Sequence, residues 1–256
     1  IWDQIIEGNY KTAEPGLIFW STMTDYSPSN YVGRPIISTN PCAEVPLEDG
    51  GACNLASLNL SRFVINGYEE NPEIDWEQLR ETTSNVVRFL DNVVSWNEIL
   101  NPLDKQKTAA SETRRLGLGI MGIADMLNQL GIAYDSETGI DTMSKLMEFI
   151  SNIAFQSSAN LAAEKEPSPI YDEQKYMMCP YIKESLNAET RALIRKNGIR
   201  NIAIMSIAPT GSISNIILSY KSEEKNYIGV SGGIEPIFAL YYTRRSESFG
   251  NQFFKV

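Results

Sequence analysis

Asn40-Pro41-Cys42-Ala43-Glu44 and, shortly after it, Cys53-Asn54-Leu55-Ala56-Ser57-Leu58-Asn59-Leu60 form the densest cluster of chemistry-bearing residues in the chain. The first lies in a stretch, Ser27 to Gly51, that is rich in Pro, Gly, Ser and Asn and whose apolar runs are too short for any helix. This stretch reads as a long ordered loop carrying Cys42, and long loops inside compact domains are functional or disordered. In an extended loop alternate side chains point the same way, so Asn40, Cys42 and Glu44 are expected on one face. Together they supply an amide, a thiol and a carboxylate. The chain contains no histidine, which excludes a Cys–His or Ser–His couple within it. Hydrogen-atom chemistry fits the thiol better than polar nucleophilic attack.

On the N-terminal side, residues 1 to 12 read as the end of a helix, broken by Glu14-Pro15-Gly16, and Leu17-Ile18-Phe19-Trp20 is an apolar run of strand length. On the C-terminal side, Asp75 and Gln78 make a capping-box-like start for a helix through Leu79, Val86, Val87, Leu90, Val93 and Val94. A second helix is predicted from about Glu112 to Leu130, with Leu116, Ile120, Ile123, Leu127 and Leu130 on one stripe. A third runs from about Thr142 to Glu164, and a fourth from Ala188 to Asn197 with Gly198 as its C-cap. Asn201 to Ala208 is strand-like and delivers the chain into Pro209-Thr210-Gly211-Ser212-Ile213-Ser214, a layout suited to an anion. Ile237 to Thr243 is a further β-prone run. Strands separated by long helices indicate an α/β architecture, and no domain linker interrupts 1–256, which reads as a single domain.

A hydrophobic content of 43% over 256 residues is enough for a sizeable core. A net charge of −10 argues against a surface that neutralises many phosphates, so no nucleic acid partner is expected. A small anionic ligand is compatible with that charge, because a few backbone N–H groups suffice to hold one. No run of roughly eighteen apolar residues and no signal peptide occur, so no membrane association and a cytoplasmic location are expected. The chain opens on Ile1, which reads as a piece of something longer. Three cysteines without histidine match no zinc-site spacing, so no metal is expected on this chain.

The Asn-x-Cys-x-Glu loop followed by Cys-Asn-Leu-x-Ser-x-Asn-Leu resembles the active-site finger loop of ribonucleotide reductases. Supporting stretches are Phe89-Leu90-Asp91-Asn92-Val93, Arg114-Arg115-Leu116-Gly117-Leu118-Gly119-Ile120-Met121-Gly122 and Gly233-Ile234-Glu235-Pro236, in the family's order. The resemblance implies part of a ten-stranded α/β barrel with a central finger loop, this chain being its C-terminal half. It implies reduction of ribonucleotides to deoxyribonucleotides by a thiyl radical on Cys42, with Glu44 taking the 3′-hydroxyl proton and Asn40 hydrogen-bonding the substrate. Cys53 becomes a reducing thiol whose partner cysteine lies outside this chain. Pro209, Thr210, Gly211, Ser212, Ile213 and Ser214 resemble the family's phosphate-binding loop, with Gly211 permitting close approach.

Asn197-Gly198-Ile199-Arg200-Asn201, Asn40-Pro41-Cys42 and the stretch from Phe238 to Arg245 resemble the adenosylcobalamin-dependent branch, which implies that cofactor. The alternative radical source is a di-metal small subunit. Ala43 departs from the glycine usual in that branch, and the segment from Leu218 to Tyr227 is longer than its counterpart. Implied partners are a ribonucleoside di- or triphosphate, a thioredoxin- or glutaredoxin-type reductant, and a companion N-terminal half or a homodimer partner. Two other readings are a non-catalytic or split-gene half that binds nucleotide, and a glycyl-radical-type enzyme on a non-nucleotide substrate. Tyr241-Tyr242, Cys179 and the methionines of the third helix are assigned structural or incidental roles.

Overall fold

The computed structural model describes residues 1–52, 54–216, 219–221, 226–228, 232–237, 239, 241–246 and 250–255. The chain begins with helix α1 (Trp2–Thr12), as the sequence implies. No strand follows at residues 17–20: the apolar run leads into helix α2 (Trp20–Tyr26), then α3 (Pro28–Tyr31). Four apolar residues do not distinguish a strand from a helix entrance, and residues 17–19 have no strand partner among the described residues. The expected long loop from Ser27 to Gly51 is also more ordered than its composition suggests. It holds α3 and an antiparallel hairpin of β1 (Ile36–Thr39) and β2 (Pro46–Glu48), with Cys42 in the turn between them.

Strand β3 (Asn54–Asn59) follows, then the short pair β4 (Val64–Ile65) and β5 (Glu73–Ile74). Asp75 caps helix α4 (Trp76–Leu100) by accepting from the Gln78 N–H at 2.9 Å. Leu79, Val87, Leu90 and Val94 form the buried stripe of α4. Each such side chain contributes about 1.5–3 kcal/mol on burial.

The helix expected over residues 112–130 is instead three elements: α5 (Asp104–Thr113), strand β6 (Leu116–Met121) and α6 (Ile123–Gln129). Arg114 in the left-handed region at φ 46° ends α5, and Gly122 at φ 71° separates β6 from α6. All six residues of β6 are buried. A strand covered on both faces is a continuous apolar run, and it mimics a helical stripe over this length. A Cβ on Gly119 would stand 2.2 Å from the Ser206 carbonyl oxygen, so glycine is required where the neighbouring segment crosses.

Ser136 caps the long helix α7 (Glu137–Lys165), which is followed by α8 (Glu173–Tyr176), α9 (Pro180–Ser185) and α10 (Ala188–Asn197). Gly198 at φ 77° ends α10 as predicted. Residues 201–208 run beside β6: Leu116 and Leu118 N–H donate to the Ala203 and Ile204 carbonyls at 2.9 and 2.8 Å, and Ser206 N–H to Leu118 at 2.9 Å. Only the Leu118–Met205 bridge there is regular, so the predicted strand is an irregular one. On the other edge, β3 pairs with β6 in parallel from Asn54↔Leu116 to Asn59↔Met121.

Three parallel extended segments in the order β3, β6 and 203–206 therefore stand side by side, joined by helical crossovers as parallel strands require. Helices α4 and α7 pack on each other, α10 packs on α7, and α4 covers β3 and β6. One buried apolar cluster extends from Val32 to Ile204 through all of these elements. Beyond a 3-10 turn at Ile213–Ile216 come two antiparallel hairpins, β7 (Ser219–Lys221) with β8 (Asn226–Ile228) and β9 (Tyr241–Ser246) with β10 (Gly250–Lys255). Residues 241–243 of the β-prone run lie in β9, and the Tyr241 ring stacks on Phe253 at 6.3 Å between centroids. The architecture is mixed α/β, and no helix among the described residues is long and apolar enough to cross a membrane.

Candidate active site

The turn joining β1 to β2 is not the extended loop that alternation assumed. Asn40 N–H donates to the Val45 carbonyl at 3.1 Å, Val45 N–H donates back to Asn40 Oδ1 at 3.0 Å, and Ala43 N–H donates to the Asn40 carbonyl at 3.0 Å. Ala43 takes up the left-handed conformation at φ 65°. The Asn40 side chain thus closes the turn and does not line the cavity beside Cys42 and Glu44. Its oxygen is committed, which corrects the expectation of three convergent side chains. Ser206 Oγ donates to the Glu44 carbonyl at 3.0 Å and anchors the tip to the segment beside β6.

Cys42 and Glu44 do share one space. A cavity of about 410 Å³ is lined by Cys42, Glu44, Leu55, Ala56 and Ser57 of β3, and the run from Ala208 to Ile213. The two constellations singled out from the sequence are therefore brought together, although they lie far apart along the chain. The Cys42 thiol is exposed and free. Glu44 Oε2 and Thr210 Oγ1 are buried polar atoms without a hydrogen-bond partner among the described residues. A buried polar atom left unsatisfied costs about 1–3 kcal/mol, and native structures keep few of them outside functional sites.

In the turn after residue 208, Thr210 carries the positive φ, at 57°, and Gly211 does not. Nothing lies within 4 Å of a Cβ placed on Gly211, so neither crowding nor a positive φ requires glycine there. Ser214 N–H donates to the Thr210 carbonyl at 2.9 Å and Ser214 Oγ to Gly211 at 2.7 Å, so that hydroxyl braces the turn. Pro209, Thr210, Gly211, Ser212 and Ile213 all line the cavity. Gly233 sits against the turn, where a Cβ would stand 2.6 Å from the Pro209 carbonyl oxygen. Cys53 lies outside the described residues. Cys179 is fully buried, donates to the Tyr26 carbonyl at 3.6 Å, and has its thiol pushed up in pKa chiefly by burial, which fits its incidental role.

Sequence reasoning missed an ionic network where the chain enters β6 and the 201–208 segment. Asp91 of α4 is fully buried and accepts from Arg114 Nε at 3.0 Å, Arg200 Nε at 3.2 Å and Asn201 Nδ2 at 3.1 Å. Burial pushes the Asp91 carboxyl up, but the Arg114 and Arg200 charges and the hydrogen bonds from Arg114 and Asn201 outweigh it and hold the carboxyl below its ordinary value. Arg114 enters β6 and Asn201 enters the segment that ends at the 208–213 turn, so one carboxylate ties both together. Its signal was the Phe89–Val93 stretch, read as a resemblance without a partner. Among the described residues no cluster of His, Cys, Asp or Glu is arranged to hold a metal ion.

All 256 residues match the family model described as the ribonucleotide reductase barrel domain. The vitamin B12-dependent ribonucleoside-diphosphate reductase of Thermoplasma acidophilum is 39% identical over 95% of this chain and 27% of its own length. The protein of that name from Mycobacterium tuberculosis strain CDC 1551 is 35% identical over 95% of this chain and 30% of its own. The ribonucleoside-diphosphate reductase subunit alpha of Chlamydia muridarum is 30% identical over 97% of this chain and 24% of its own. The chain thus spans less than a third of each of these relatives. With a match along its whole length, and with residues 42–44 and 208–213 lining one cavity, the chain belongs to the ribonucleotide reductase barrel-domain family.

Proposed function

We propose that this chain carries the substrate-activating half of a ribonucleoside-diphosphate reductase, as a single domain forming the later part of a ten-stranded barrel with the Cys42 hairpin as its finger loop. The observation that carries the reading is the shared cavity, in which an exposed thiol and a buried, unpartnered carboxylate oxygen face an open turn of small residues. A thiyl radical at Cys42 takes the 3′ hydrogen of the ribonucleotide and, once the 2′ carbon is reduced, returns it to C3′ to become the thiyl radical again, and Glu44 accepts the 3′-hydroxyl proton and gives it back at the end. The 2′-hydroxyl leaves as water while two thiols, Cys53 and a partner outside this chain, are oxidised to a disulfide. A thioredoxin- or glutaredoxin-type dithiol restores them.

Asn40, whose side-chain oxygen closes the turn, serves the reaction by holding the hairpin tip that presents Cys42 and Glu44. The backbone and hydroxyls from Pro209 to Ile213 hold the phosphates, with Ser214 bracing them from behind. Adenosylcobalamin, the cofactor suggested by the names of the relatives, supplies the initiating radical when bound. What the chain offers is the accessible Cys42 thiol. Cys42→Ser in the holoenzyme is expected to abolish deoxynucleotide formation while folding and nucleotide binding persist. Measurable product from that variant would end the radical assignment.

A further inference from the structure

Glu48 and Arg115 form an ion pair whose side chains are 1% and 4% exposed, and the proposed chemistry uses neither. We propose that this pair positions the Cys42 hairpin, acting as a fork that fixes β1 and β2 to the root of β6 and thereby sets where Cys42 and Glu44 stand over the cavity. For its effect on turnover the inference rests on the proposed role of Cys42. For its effect on the placement of the turn it does not.

Glu48 is the last residue of β2, at the opposite end of the hairpin from Cys42. Its Oε2 accepts from Arg115 Nε at 3.0 Å and Nη2 at 2.6 Å, and its Oε1 accepts from Thr113 Oγ1 at 2.8 Å. Arg115 Nη2 also donates to Ser29 Oγ at 2.9 Å, at the start of the chain's approach to β1. Thr113 and Arg115 immediately precede β6, and β6 is the strand on which both cavity walls are registered. Residues Leu55 to Ser57 pair with it on one side, and residues 203–206 run on the other before entering the 208–213 turn. Glu48 thus refers the hairpin to the same strand that places everything Cys42 and Glu44 must face.

The hairpin needs such a reference. It has two short strands, and its register slips between Ile36 and Ser38; an isolated two-stranded hairpin is at best marginally stable. Its tip is tied to the rest by the Ser206 hydroxyl. Burying an ion pair adds little net stability compared with apolar side chains of the same volume, whereas its geometry is strict, since Arg offers a planar fork to a carboxylate. Hydrogen transfer between a thiyl radical and a sugar carbon tolerates little displacement, and a 1 Å misplacement costs roughly a hundredfold in rate.

The test uses two variants in the holoenzyme, Glu48→Met/Arg115→Met and Arg115→Lys. The double variant replaces the pair by apolar side chains that preserve burial, and Arg115→Lys keeps the charge but loses the fork. In both, kcat is expected to fall at least about tenfold with KM within about twofold, at a folded fraction like that of the unmodified protein. Alkylation of Cys42 by iodoacetamide, followed on the Cys42 peptide by mass spectrometry, is expected to quicken at least threefold as the tip samples more positions. Should the double variant fail to fold, Arg115→Lys decides on the same readouts. Wild-type kcat and Cys42 alkylation in a folded variant would overturn the inference, as would a loss of turnover that merely follows the folded fraction. If Cys42→Ser keeps activity, the radical reading fails, and the alkylation rates still judge the positioning.

Discussion

Ala43 sits between the two residues assigned to chemistry, in a conformation that L side chains avoid, at φ 65°. Entering the left-handed region costs most residues roughly 1–2 kcal/mol and glycine almost nothing, although glycine also loses more freedom on folding. Ala43→Gly is therefore expected to stabilise the domain by about 0.5–1 kcal/mol, read as a higher urea midpoint with an unchanged slope. A lower midpoint would show that this turn is not held in that conformation. The departure of Ala43 from the family's glycine was legible in the sequence. Its physical meaning was not, because φ is set by the hydrogen bonds that Asn40 makes across the turn. Cys42 and Glu44 were legible as a pair for the opposite reason: either an extended chain or a turn places them together. Asn40 turns away from the expected shared face because a short amide in a turn bonds its own backbone.

At the scale of elements, α4 could be read from its Asp75 cap and apolar stripe, α10 from its closing Gly198, and α7 from its stripe alone, which sets the expected start at Thr142 and misses the Ser136 cap and first turn. β6 could not, because its six buried residues carry no alternation, and only Gly119 against the Ser206 carbonyl betrays a crossing strand. The carboxylate of Asp91 joins these elements, and its depressed pKa fixes the sign of a pH effect. A carboxyl lowered in the folded state contributes stability that is full above its unfolded value of about 3.9 and is lost as pH falls through the folded value. Asp91→Asn leaves Arg114, 4% exposed, without its buried counter-charge, a change that costs about 3–5 kcal/mol at pH 7. The stability gap to the wild type should narrow as pH drops below about 4, where the unfolded wild-type chain takes up the proton first and the folded one, held lower, follows. Urea unfolding of both proteins at pH 7 and pH 3 measures this, and an equal gap at the two values would show that Asp91 is not the charged member of the network.

At the scale of the molecule, the proposed reaction would consume two reducing thiols per turnover in addition to the radical-bearing one, and the chain has three cysteines in all. Cys179 cannot be the missing thiol: it is fully buried, with its sulfur directed to the Tyr26 carbonyl. That leaves Cys42 and Cys53, one short of the requirement. The surface points the same way. Helix α1 has no buried residue, and Trp2, Ile6 and Tyr10, spaced four residues apart on one face of it, are exposed, an apolar face of a kind that invites association. Residues 1–256 expressed alone are therefore expected to make no deoxynucleotide when given adenosylcobalamin, a dithiol and a ribonucleoside diphosphate, and to self-associate in sedimentation. Addition of a companion half bearing the partner cysteine should restore product, and Cys42→Ser in the mixture should remove it again. Deoxynucleotide formed by the lone chain would mean that its own three thiols suffice and that no partner cysteine from another chain is required.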